Sequence, residues 1–143
     1  MPSLYGALDA AASALDAQRT RLEVAVSNLA NAESTRGAEG QPYRRRDVLL
    51  REAPIDAFDV ALGSAGAVGV QVAGIVEDAS PPKRRYEPSH PDADAEGYVA
   101  LPNVEVPEEM VDMLGAARAY QANLTAMGLI RETIQRSLEL GKP

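Results

Sequence analysis

The sequence predicts an α+β protein in which long N- and C-terminal helices pair antiparallel as a coiled-coil-like stalk around a small β-rich middle module. Three observations carry this reading. Apolar residues recur at steps of three and four over both ends of the chain, the spacing of one face of an α-helix, and that spacing is lost between them. The composition, with one Phe, no Trp and abundant Ala, offers few bulky side chains for a compact interior and favours helices that approach closely. At 143 residues the chain suffices for one domain with a sizeable core, or for a small domain carried on long helices. The expected organisation is an N-terminal helix over 1–35, a β-rich module over 36–106 and a C-terminal helix over 107–143. The two helices would form one helical domain.

Leu8, Leu15, Leu22 and Leu29 stand seven residues apart, with Leu4, Ala11, Gln18 and Ala25 four before each, which is a heptad seam. Pro2-Ser3 suits the helix start, with Ser3 a candidate cap, and the polar run from Asn31 to Gly37 suits its stop. Asn28 and Asn31 are expected to terminate the helix through side-chain hydrogen bonds. About 28 helical residues span roughly 42 Å. Such a seam fits either the core of an ordinary bundle or an intermolecular coiled coil. Two long helices enclosing so short a middle have little globular body to lie on, so much of their apolar surface would stay exposed, as at association sites.

From Gln41 to Leu50 the spacing turns extended and predicts a strand. Arg44, Arg45 and Arg46 resemble a phosphate patch. The stretch Arg36 to Arg51 nevertheless sets five Arg against Glu39 and Asp47 without a field of stacking aromatics, so a solvated or partner-facing surface is the better reading. A Gly/Ala/Ser-rich stretch near 63–69 reads as a flexible loop. Alternating Val68, Val70 and Val72, then Ile75 and Val76, read as the clearest strand, with a bulge at Gly74. After the break at Ser80-Pro81-Pro82, a turn-rich segment leads to a further strand at Tyr98 to Leu101.

Pro102 and Pro107 bracket an extended link into the last helix, where Pro107, Glu108 and Glu109 suit initiation and Gly141 supplies the stop. Met110, Met113, Ala117, Tyr120, Leu124, Met127 and Ile134 form its apolar face. Gly115 and Gly128 each cost about 1 kcal/mol relative to Ala and are read as points of close backbone approach by a neighbour.

The chemical inventory is thin. Net charge is −7 with a pI near 4.7, not the basic surface that non-specific binding to nucleic acid or anionic membrane requires. Absence of cysteine excludes disulfides and thiolate metal sites. No stretch approaches the ~18 apolar residues of a bilayer span, and the first residues lack the basic leader and continuous apolar region of a cleaved signal. Asp92, Asp94, Glu96 and Gly97 match positions of a calcium loop, but Asn103 falls where the bidentate Glu belongs. An acidic turn bonded to its own backbone is the better account. His90 is the only histidine, so two histidine ligands from one chain are impossible. No catalytic residues, metal site or cofactor are expected.

Three stretches together resemble the axial proteins of the bacterial flagellum, and among them the rod subunits of the basal body. The run from Ser27 through Asn28, Ala30 and Asn31 to Thr35 is similar to the rod motif in which a helix ends in Ala-Asn, and Gly40-Gln41-Pro42-Tyr43-Arg44 to the entry of the following strand. Pro88-Ser89-His90-Pro91, with Gly97 and Tyr98, resembles the turn and hairpin signature. Glu109, Met110, Asp112 and Met113, then Tyr120, Ala122 and Asn123, resemble the C-terminal helix signature. Glu33 stands where the first motif more often has Asp or Asn, and Ala53 to Gly69 is idiosyncratic.

The resemblance implies a non-catalytic structural subunit of the proximal rod, exported by the flagellar type III apparatus without a cleaved signal peptide. Assembly into a helical, torque-transmitting drive shaft in the periplasm would follow. It also implies self-association, other rod proteins and the adaptor between rod and membrane ring as partners, with neither nucleic acid nor direct membrane insertion. The assembly contacts would be the two apolar seams. Two other readings follow from the residues: a soluble adaptor holding one partner helix between its helices, and a metal-dependent hydrolase built on His90 and the acidic turn.

Overall fold

The computed structural model describes residues 4–37, 40–55 and 68–141. Ser3 and residues 56–67, on which a helix cap and most of the Gly/Ala/Ser loop were placed, lie outside them. Helix α1 spans Leu4–Ala30 and α2 spans Val106–Leu140. Between them come β1 (Arg46–Pro54), β2 (Val68–Glu77), β3 (Lys83–Tyr86) and β4 (Tyr98–Leu101). The strands form two antiparallel hairpin sheets, β1 with β2 and β3 with β4. α1 packs most extensively on α2 and also carries β2 and β1. Because Asn28 near the end of α1 bonds Glu109 near the start of α2, the helix pair is antiparallel.

α1 stops at Ala30, where Asn31 donates its side-chain amide to the Ser27 carbonyl at 2.8 Å and the chain enters a turn. α2 starts one residue before Pro107, with an extended Glu105 as N-cap and no side-chain cap, so Pro107, Glu108 and Glu109 supply the initiating geometry and charge. It ends at Leu140, and Gly141 returns its N–H to the Glu139 carbonyl.

The middle module departs from the sequence reading in three places. β1 begins at Arg46 rather than Gln41 and runs on to Pro54; ahead of it, the Tyr43 hydroxyl is turned onto Ser27 and Asn28 of α1. β2 begins at Val68, where the alternation starts, so the last two residues of the 63–69 stretch, Val68 and Gly69, belong to the strand. Gly69 is buried, and a Cβ there would stand 2.6 Å from the Ser13 hydroxyl, so α1 and β2 meet closely at this glycine. β3 was not foreseen; KRRY has no apolar alternation and becomes a strand by pairing with β4. The β2 bulge does occur: Leu49 faces Gly74 and Leu50 faces Val72, leaving Ala73 as the extra residue.

The core is small. Ala11, Ala17 and Ala25 of α1, Ala116 of α2, Val99 and Leu101 of β4, and Val104 of the link are its buried apolar residues among those described. Pro102 is also fully buried, so the link between β4 and α2 is packed against the body of the module.

Candidate assembly interface

The α1 seam residues Leu8, Leu15, Leu22 and Leu29 are all half-buried. The most buried positions of α1 are instead Gly6, Ala11, Ala17, Ala25 and Asn28. Part of this burial is against the sheet, since Ala17 lies beside Val70, Gln71 and Val72 of β2.

On α2 the apolar set divides. Met113, Tyr120, Met127 and Ile134 are half-buried and share a flank with the buried Glu109 and Ala116, at the steps of three and four that stack one face of a helix. Met110, Ala117 and Leu124 lie about 100° further round the helix and are exposed. Val111, Leu114, Leu129, Leu138 and Leu140 are exposed as well. Leu129 is 60 % accessible and Leu140 89 %, so α2 presents an apolar face that its own chain leaves uncovered. Gly115 and Gly128 have nothing within 4 Å of an added Cβ. The close approach expected there is not made within the chain; both glycines are exposed on the helix.

Beneath this surface lies a polar knot that the sequence did not reveal. Asn28 and Glu109 are the buried polar side chains among the described residues. The Asn28 amide serves the backbone of Arg46 as a neighbouring strand would, with Oδ1 accepting from its N–H at 2.9 Å and Nδ2 donating to its carbonyl at 2.8 Å. Oδ1 also accepts from the Tyr43 hydroxyl at 2.9 Å, and Nδ2 donates to Glu109 Oε2 at 3.0 Å. Asn28 therefore joins three segments and does not cap α1, as had been expected of it.

The other Glu109 oxygen accepts from Arg45 Nε at 2.5 Å. Arg45 also lies 3.8 Å from Asp47 and 3.7 Å from Asp112. Burial works to lower the Arg45 pKa, but the hydrogen bond and charge of Glu109, with Asp47 and Asp112, outweigh it and hold the guanidinium above its ordinary value. Arg45 is thus half-buried within the fold rather than part of a solvated basic surface, whereas Arg44 and Arg46 are exposed. A signal for the knot was present: a step of four and a step of three from Glu109 lead to Met113 and Ala116, which places a carboxylate on the inward flank of α2.

The signature residues of the β3–β4 hairpin build its turn. Gly97 has φ +84°, and a Cβ there would stand 2.9 Å from the Tyr86 ring and 3.2 Å from Pro88. Tyr86 and Tyr98 meet edge to face with centroids 5.3 Å apart, and Arg84 lies 4.7 Å over the Tyr98 ring. Asp94 Oδ1 accepts from the Tyr98 and Glu96 N–H groups, each at 2.9 Å, and Oδ2 pairs with Arg84 at 2.8 Å. The Tyr98 backbone bond foremost, then Arg84 and the Glu96 N–H, hold the Asp94 pKa below its usual range against a smaller opposing effect of desolvation.

His90 Nδ1 accepts from the Asp92 N–H at 3.1 Å. Asp92 is also held by Thr35 at 2.7 Å and by Arg36 at 2.7 Å, which ties the turn to the segment after α1. Pro88, Ser89 and Pro91 are exposed. These acids are spent on backbone and arginine partners, and no group of three or more His, Cys, Asp or Glu among the described residues could hold a metal ion.

The remaining signature positions are on the helices. Ala30 and Ala122 are exposed, Asp112 is exposed beside Arg45, and Asn123 donates to the Ala119 carbonyl at 2.9 Å. None of the described helices is long and apolar enough to cross a membrane.

Comparison with known proteins places this arrangement. The family model described as flagella basal body rod protein matches residues 8–38, and that described as flagellar basal body rod FlgEFG protein C-terminal matches residues 95–140. The chain is 45% identical over 140 residues to the flagellar basal-body rod protein FlgC of Salmonella typhimurium, covering 98% of this chain and 99% of that one. It is 43% identical to the FlgC of Bacillus subtilis over 149 residues, covering 96% and 98%. With the FlgC of Aquifex aeolicus it shares 40% identity over 142 residues, covering 99% and 100%. Similarity of this extent over both helices and the module between them shows that the chain belongs to the FlgC family of flagellar basal-body rod proteins.

Proposed function

We propose that this protein is a structural subunit of the proximal rod of the flagellar basal body, in which the paired helices form the inner layer and the β module lies outside. The observation that carries the reading is the apolar face of α2. Met110, Leu114, Leu124 and Leu129 are exposed on a helix that packs on its own chain along another flank, and an apolar face of this kind is covered by association. Neighbours related by helical symmetry would bury it repeatedly, and interlocked helices of that kind resist torsion. The mechanism is mechanical, with no catalytic step.

The assignment includes the assembly contacts at Leu8, Leu15, Leu22 and Leu29 and at Met110, Met113, Ala117, Tyr120, Leu124, Met127 and Ile134. It also includes export through the type III apparatus without a cleaved signal, a periplasmic location, and other rod proteins and the membrane-ring adaptor as neighbours. The division into N-terminal helix, β module and C-terminal helix is read as one helical domain carrying an outer module.

The test is substitution of Leu22 or Leu124 by Asp in cells lacking the native protein. Loss of rods and of motility, with Leu124→Asp still folded when purified, is the expected result. Normal rods from either variant would refute these contacts. A closed complex of fixed stoichiometry that never extends would favour the adaptor reading.

A further inference from the structure

We infer that the Arg45–Glu109 pair, held by Asn28, is a register pin that selects one alignment of α1 against α2. The fully buried apolar positions of the two helices are small: Gly6, Ala11, Ala17 and Ala25 on α1, Ala116 on α2. The leucines of the α1 seam and the Met113, Tyr120, Met127 and Ile134 flank of α2 are only half-buried, so space remains on their solvent side for them to repack in a shifted alignment. A half-buried apolar seam discriminates weakly between alignments, whereas a single buried polar contact can fix register because every slipped state leaves it unsatisfied.

The knot has the required geometry. Glu109 is 2 % exposed, one of its oxygens is bound by Asn28 of α1 and the other by Arg45 just before β1. Asn28 is in turn clamped to both backbone groups of Arg46. Sliding α2 by one turn, about 5.4 Å, would carry the carboxylate away from Asn28 and Arg45 together and leave a buried charge without a partner. The clamp on Arg46 extends the same reference point to the β1–β2 hairpin. One end of the helix pair is thereby indexed to the module, while the far end of α2, including Leu138 and Leu140, stays exposed.

The chain has no cysteine, so spin labels at Glu23→Cys and Thr125→Cys, both exposed sites and offset by roughly 16 Å along the helix axes, report the α1–α2 alignment in the full-length protein. The comparison is between the native pair and the double variant Arg45→Met, Glu109→Met, which removes both charges at similar side-chain size and leaves Asn28 on Arg46. The expected result is one narrow distance in the native protein. In the double variant the expected result is a broadened or split distribution with components displaced by about 4 Å, at helix content equal to the native protein's. Retention of the single native distance would overturn the inference. So would a double variant that fails to fold, because the pair would then hold the fold together rather than choose among alignments, and so would several distances in the native protein.

Discussion

Replacing Asn28 by Leu tests how much the knot contributes to stability. Leu keeps the branched side-chain skeleton of Asn, so no cavity is created and the loss is chiefly polar in origin, with any crowding by the bulkier methyl groups acting in the same direction. Four hydrogen bonds disappear: from the Arg46 N–H, to the Arg46 carbonyl, from the Tyr43 hydroxyl and to Glu109. At a net ~1 kcal/mol each, they sum to about 4 kcal/mol. For a chain of this length that corresponds to a fall of about 12 °C in Tm. Asn31→Ala is the internal comparison. It removes one bond, from a half-buried side chain to the Ser27 carbonyl, and is expected to cost about 1 kcal/mol. Urea unfolding followed by far-ultraviolet circular dichroism measures both, with the slope against denaturant unchanged if only stability is altered. A loss for Asn28→Leu no greater than that for Asn31→Ala would refute the view of Asn28 as a three-segment joint.

Three further outcomes are expected. Gly97→Ala should cost about 2 kcal/mol, because φ +84° is strained for any residue with a Cβ and the added atom meets Tyr86 and Pro88; thermal unfolding measures it. Gly128→Ala should stabilise the subunit by up to ~1 kcal/mol, since the site is open and helical, and a lower Tm of the isolated subunit would show that the site is packed within the chain. Asp94 has a folded-state pKa below its ordinary value, so its contribution to stability is present above the unfolded pKa and is lost as pH falls through the folded one. Asp94→Asn should flatten this acid-side slope in melting temperature, and an unchanged slope would place the acid sensitivity elsewhere.

The helices were legible because their signal is local: steps of three and four in α2, sevens in α1, Pro107 at one boundary and Gly141 at another. Tyr98 to Leu101 and the bulge beside Gly74 were legible for the same reason, through alternation and its interruption. β3 was not, since Lys83 to Tyr86 becomes a strand only through its partner β4. The knot was hidden by separation along the chain. Asn28 meets Arg46 across 18 positions, Arg45 meets Glu109 across 64, and Asn28 meets Glu109 across 81. Reading Arg45 with its neighbours as surface followed from counting charge along the sequence, when the decisive carboxylate comes from the other end of the chain. The exposed half of the α2 stripe shows the opposite case. Periodicity marked Met110, Ala117 and Leu124 as apolar, but only packing shows that the covered flank is that of Glu109 and Ala116 and not theirs.

The most direct measurement is photo-crosslinking from Leu129 in isolated basal bodies, with Ala116 as the inward-facing control. Leu129 is exposed on α2 and Ala116 is 1% accessible, so adducts from position 129 to neighbouring subunits, and from position 116 to the protein's own α1, are predicted. Adducts from position 129 confined to its own chain, in rods that assemble normally, would contradict the assignment of this face to assembly.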